Sequence, residues 1–311
     1  MISDDRSLLT EPEGDTLPAP FRDLPVLDAH VHVFPDRLLD AIWSWFESHG
    51  WAIRYKLHGD RLLDHLEERG IREVVALHYA HKPGIARSLN DHVLAFARRR
   101  ANVIPCATVF PGEPGAREIL HRAFGEGARG VKLHCHVQKI APDDPRLDEV
   151  YEESSSQNRP VVIHAGREPS SQAYGVDTRA LCSVQSVERV LVRHPGLTLV
   201  VPHLGADEFD EYDALLDRFP GLYLDTTMAL SGYLPGFERF EMVKRRTDRL
   251  LYGTDFPNLP YAWDRELKKI ADLALTPEQA AALLGGNARR LFGSRSGPST
   301  SGELRDRAHP L

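Results

Sequence analysis

His30 and His32 stand two residues apart in Leu27-Asp28-Ala29-His30-Val31-His32. In an extended strand side chains alternate between faces, so both imidazoles point the same way, about 7 Å apart along the backbone. Two imidazoles on one face can close on a divalent ion at about 2.0–2.1 Å. The pair alone would serve equally as core-filling histidines. Three further residues recur in a similar setting. His164 closes the run VVIHAG, His203 closes LVVPHLG, and Asp255 closes LLYGTDFP, each immediately before a turn with Gly or Pro. Four histidines and a carboxylate repeated at such positions read as a metal centre with an acid–base group beside it.

The elements that would position them are legible from periodicity. Short runs rich in Val, Ile and Leu fall at 26–33, 73–77, 103–109, 130–134, 160–164, 197–203, 222–226 and 249–255. Between them, segments such as 61–70, 86–100, 116–127, 146–157, 184–196 and 211–221 carry apolar residues at helical spacing. Thr276 and Pro277 mark the start of a further helix as N-cap and first helical residue. Several strand runs are apolar on both faces, which suits parallel strands covered by helices. Eight strand–helix alternations predict an α/β fold, specifically a (β/α)8 TIM barrel, in which side chains at the C-terminal strand ends meet at one mouth. A doubly wound open sheet is the competitor, but no glycine-rich phosphate loop follows the first strand.

Composition bounds the rest. The chain has 311 residues, 42% hydrophobic and 27% charged, with a formal net charge of −7. That charge repels nucleic acid and anionic membrane surfaces, and no run of 18 apolar residues suggests a membrane span. A small-molecule substrate is the expected partner, and a homodimer is the base-rate assembly. The acidic, polar start does not read as a secretory signal. Three widely spaced cysteines, Cys106, Cys135 and Cys182, suggest reduced thiols, hence a cytoplasmic protein. Residues 1–23 read as an N-terminal tail, 24–292 as the catalytic barrel, and 293–311 as a flexible tail rich in Ser, Gly and Pro.

The motifs Asp-Ala-His-Val-His at 28–32, Val-Lys-Leu-His at 131–134, Ile-His-Ala-Gly at 163–166, Pro-His-Leu-Gly at 202–205 and Gly-Thr-Asp-Phe-Pro at 253–257 together resemble the amidohydrolase superfamily. The resemblance is to its branch related to aminocarboxymuconate semialdehyde decarboxylase, and it extends to the closing run Gly286–Phe292. It implies a divalent metal, zinc first, held by His30, His32, His164 and Asp255. His203 would stand beside the metal, and with Asp255 would handle the proton of a metal-activated water. Binuclear members carry a carboxylated lysine at the end of the fourth strand. Lys132 is the residue in question here, the other reading being a buried lysine paired with a carboxylate such as Asp28, with one metal in the site.

Weaker mouth candidates are His78, Tyr79, His81, His134, His136, Thr226 and Thr227. Arg167 is the candidate clamp for a substrate carboxylate, although a surface pair with Glu168 would explain it equally well. Trp43, Trp45, Phe46 and Trp51 form an aromatic cluster suited to packing or to capping the mouth. The leading expectation is a metal-dependent hydrolase of a small amide, lactone or ester-like substrate. The alternative is non-oxidative decarboxylation of an unsaturated or aromatic acid. A purely structural zinc is disfavoured by a ligand set without cysteine at a barrel mouth.

Overall fold

A computed structural model of the chain describes residues 6–293; the rest of the expected C-terminal tail, 294–311, lies outside the described residues. All eight expected strands form: β1 Leu27–His32, β2 Glu73–Leu77, β3 Val103–Pro105, β4 Val131–His134, β5 Val161–His164, β6 Leu199–Val201, β7 Leu222–Asp225 and β8 Leu250–Leu251. Pairing is parallel throughout and sequential within β1–β2–β3 and β4–β5–β6–β7–β8. Two junctions complete the TIM barrel. At the β3–β4 junction, Ala107 N–H donates to Gly130 O and Lys132 N–H to Ala107 O, both at 2.8 Å. At the β8–β1 junction, Asp255 N–H donates to His30 O at 2.9 Å and His32 N–H to Phe256 O at 2.7 Å. Gly253 belongs to that second seam. A side chain there would start 2.7 Å from both His30 Cβ and Thr227 Oγ1, so only glycine allows the approach.

Helices cover the barrel where apolar periodicity placed them, including Asp60–Glu68, Ala86–Arg99, Ala116–Gly125, Asp148–Ser156, Val184–Arg193 and Phe209–Arg218. The helix Pro277–Ala281 has Thr276 as its N-cap, reciprocated by Gln279 in a capping box. The large apolar core lies between strands and helices. A smaller cluster, including Leu27, Val75, Ile104, Val162 and Leu251, fills the inside and is closed by Ala288 and Phe292 of the last helix. Among the described residues no helix is long and apolar enough to cross a membrane, and all three cysteines are buried and free.

The N-terminal segment differs from a loose tail. Leu17 and Phe21 are buried, Glu11 accepts from Arg265 and from Ala262 N–H, and Glu13 bonds Tyr55, Arg54 and Arg69. Its acidic composition hid this, because the partners are arginines scattered through the barrel that only folding assembles.

Candidate metal centre and active site

The mouth gathers residues from six strand ends. His30, His32, Lys132, His134, His164, His203 and Asp255 line one nearly closed cavity of about 20 Å³, walled by Phe46, Trp51, Tyr79, Tyr174 and Asn258. A cleft of about 320 Å³, largely apolar, shares Phe46, Tyr79 and Tyr174 with it.

His30, His32 and Asp255 each offer a ligand atom within 4.8 Å of the others. His30 Nε2 lies 3.6 Å and His32 Nε2 2.7 Å from Asp255 Oδ1. Donors around a tetrahedral ion with bonds of about 2.0–2.1 Å stand about 3.3 Å apart, so small adjustments suffice. His30 is pre-set for ligation. Its Nδ1–H donates to Asp225 Oδ2 at 2.8 Å, which leaves Nε2 as the lone pair. Lys132 Nζ–H donates to that Nε2 at 3.3 Å. Burial, then the charge of Lys132, pushes the His30 imidazole down to about 4, so it is neutral near pH 7. Burial opposes ionisation of Asp255, but His32, His30 and His203 outweigh it and hold the carboxyl well below the usual range. A carboxylate and two imidazoles fit a divalent ion, and ligation by His32 would displace the proton it shares with Asp255.

His164, the fourth expected ligand, lines the same cavity as these three. Its partners at ligating distance are His134 and His136. A directional chain explains the placement. His203 Nδ1–H donates to Thr227 O at 2.8 Å, so its Nε2 is an acceptor, and it accepts from His164 Nδ1–H at 3.2 Å. Both His203 and Asp255 hold left-handed backbone, with φ of 58° and 76°. Non-glycine residues pay about 1–3 kcal/mol for such conformations, which cluster at functional sites. The bonds from Asp255 N–H to His30 O and from His203 N–H to Asp225 Oδ1 fix them there.

Lys132 is buried, and burial pulls its amine down to about 8 against the opposing charges of Asp225 and Asp255. Asp28 is not its partner. That carboxyl accepts from Thr254 Oγ1–H at 2.6 Å and from the amides of His30 and Thr254, and burial raises it to about 7. Arg167 is not at the mouth either. Its guanidinium bonds Glu208 at 2.8 Å and the Cys182 carbonyl at 3.2 Å, while Glu168 pairs with Arg179. The side chain expected as a clamp is thus held in an ion pair with Glu208. His78 turns to Asn90, and His81 lines only the outer cleft. Of the aromatic cluster, Phe46 and Trp51 wall the cavity, Trp45 lines the cleft, and Trp43 is buried.

Asp225 is the residue the sequence reading passed over. It orients His30 through one oxygen, while the other accepts from the amides of His203 and Thr227. A carboxylate ending the apolar run Leu222-Tyr-Leu-Asp was the available signal.

Comparison with known proteins agrees with this fold. Solved structures of similar fold include an uncharacterized TIM-barrel protein from Bordetella bronchiseptica, 21% identical, with a TM-score of 0.62 over 87% of this chain and 99% of that one. The 5-carboxyvanillate decarboxylase of Sphingomonas paucimobilis is 17% identical, with a TM-score of 0.63 over 87% and 99%. A probable 2-pyrone-4,6-dicarboxylic acid hydrolase from Acinetobacter baumannii is 16% identical, with a TM-score of 0.59 over 87% and 100%. At these identities the likeness establishes the fold. No curated protein sequence matches the chain. The sequence profile described as Amidohydrolase matches residues 27–294, the whole barrel, and the chain belongs to that family of enzymes.

Proposed function

We propose that the protein is a metal-dependent hydrolase of a small amide, lactone or ester-like substrate, with a divalent ion, zinc first, held by His30, His32, His164 and Asp255. The observation that carries the reading is the convergence of His30, His32 and Asp255, the last an ionised carboxylate, in one cavity with His164 beside a larger cleft. When bound, the ion would supply Lewis acidity and a water acidified toward about 7. Asp255 is placed to accept that water's proton. His203, held neutral by burial and fixed with its proton on Nδ1, presents a bare Nε2 that can take up the proton released by the water and then hand it to the leaving group. Phe46, Trp51, Tyr79 and Tyr174 exclude bulk water from the reacting atoms.

Decarboxylation is the second reading, and the buried amine of Lys132 beside His30 is what favours it, as a cation in the cavity for a substrate carboxylate. Hydrolysis ranks first because Arg167, the side chain that a carboxylate clamp would have used, is committed to Glu208. Metal-loaded enzyme incubated with lactones, amides and unsaturated carboxylic acids in oxygen-18 water separates the two. Label in the product without carbon dioxide is expected; stoichiometric carbon dioxide would replace hydrolysis with decarboxylation.

A further inference from the structure

We propose that the cleft beside the catalytic cavity is a subsite for a neutral hydrocarbon tail, so that the substrate is an amide or ester carrying a chain of several carbons. The inference rests on the hydrolase reading for the reacting end and adds what lies beyond it. The cavity, at about 20 Å³, has room for little more than one water. The body of a substrate must therefore lie elsewhere. The cleft of about 320 Å³ adjoins the cavity through Phe46, Tyr79 and Tyr174, and small-molecule sites begin at about 300 Å³.

The helix Asp36–His49 carries one apolar stripe more than packing requires. Leu39 and Trp43 are its buried residues. Leu38, Ala41, Ile42, Trp45 and Phe46 recur at i, i+3, i+4, i+7 and i+8 and line the cleft instead. Val137, from the helical turn after β4, and Ala173, from the turn Gln172–Tyr174, extend the apolar lining. Trp45 and Tyr174 meet with ring centroids 4.8 Å apart, which joins the helix to that turn. No Asp or Glu among the described residues lines the cleft, so nothing there would hold a cationic group. Lys139 lines the cleft and not the cavity. It is exposed, and a Cβ added at Gly175 would stand 3.5 Å from its Nζ. Its ammonium therefore marks the rim where the cleft meets solvent, with the methylene stem along the apolar surface. A tail would run from the shared aromatic residues toward that rim.

The test uses the full chain as purified and n-alkanamides from acetamide to octanamide, with affinity read by tryptophan fluorescence and calorimetry. Binding is expected to tighten by about threefold per added methylene. Ile42→Asp, which sets a carboxylate in the stripe, should flatten that series. Ala41→Trp, at an exposed helix position, should fill the cleft and shift the preference to shorter chains. Circular dichroism checks that both variants are folded. Equal affinities along the series in wild type, or the wild-type slope retained in both folded variants, overturns the proposal. So does tighter binding of the same chain ending in a carboxylate, with the gain lost in Lys139→Met, which would make the tail anionic. Esters of the same acids with para-nitrophenol, given to zinc-loaded enzyme, should follow the same order in kcat/KM. A rising amide series with no ester turned over would support the subsite and sink the hydrolase reading, so the two failures are read apart.

Discussion

At the scale of single residues, the centre is governed by which nitrogen of each histidine keeps its proton. Asp225 fixes His30, Thr227 O fixes His203, and His203 in turn fixes His164. Such orienting partners typically contribute 10–100-fold to metal affinity. Asp225→Asn, which replaces an ionic acceptor with an amide and weakens its hold on His30, is therefore expected to lower zinc affinity by about 10–100-fold while the far-ultraviolet spectrum stays at wild type. Asp255→Asn removes a proposed ligand itself, so competition with a chromophoric chelator should show a larger loss than for Asp225→Asn, together with loss of activity. Equal affinities for wild type and Asp225→Asn would mean that the His30 tautomer is set by something else.

At the scale of elements, loops after the strands hold the site by burying polar groups among backbone amides. Glu266, in the helix Arg265–Ala271, is fully enclosed and accepts from Leu230 N–H at 2.7 Å and Met228 N–H at 3.0 Å. These bonds fix the turn after β7 that carries Thr227, hence the orientation of His203. Burial pushes the Glu266 carboxyl well above its usual value, although both oxygens face donors. Glu266→Gln would turn an amide N–H against a backbone N–H. A loss of roughly 1–3 kcal/mol in urea unfolding is expected, with a larger effect on turnover than on metal content. A variant as stable as wild type would show that the turn holds itself.

At the scale of the whole molecule, the segment before β1 acts as a strap across the loops of β1 and β8. Glu11 caps Ala262 and pairs with Arg265, Glu13 gathers Arg54, Arg69 and Tyr55, and Gly14 N–H donates to buried Asp264 at 2.8 Å. Removing residues 1–15 strands those arginines and amides. The melting temperature should fall by on the order of 5 °C, the equivalent of about 2 kcal/mol at this size, with zinc stoichiometry unchanged. An unaltered melting curve would show the strap to be energetically idle.

The sequence by itself determined the eight strands, their parallel order and the mouth where the histidines and Asp255 meet. Apolar runs of strand length alternating with helical periodicity leave a barrel as the consistent solution, and strand ends are local features. Tertiary structure decided what each polar side chain does there. Arg167 went to Glu208, Lys132 to His30 rather than Asp28, and Asp225 to His30. Those outcomes depend on side-chain direction after a turn and on partners more than twenty residues away, neither of which is encoded in spacing. The acidic N-terminal segment packs for the same reason, since the arginines it neutralises share a surface only once the barrel has closed.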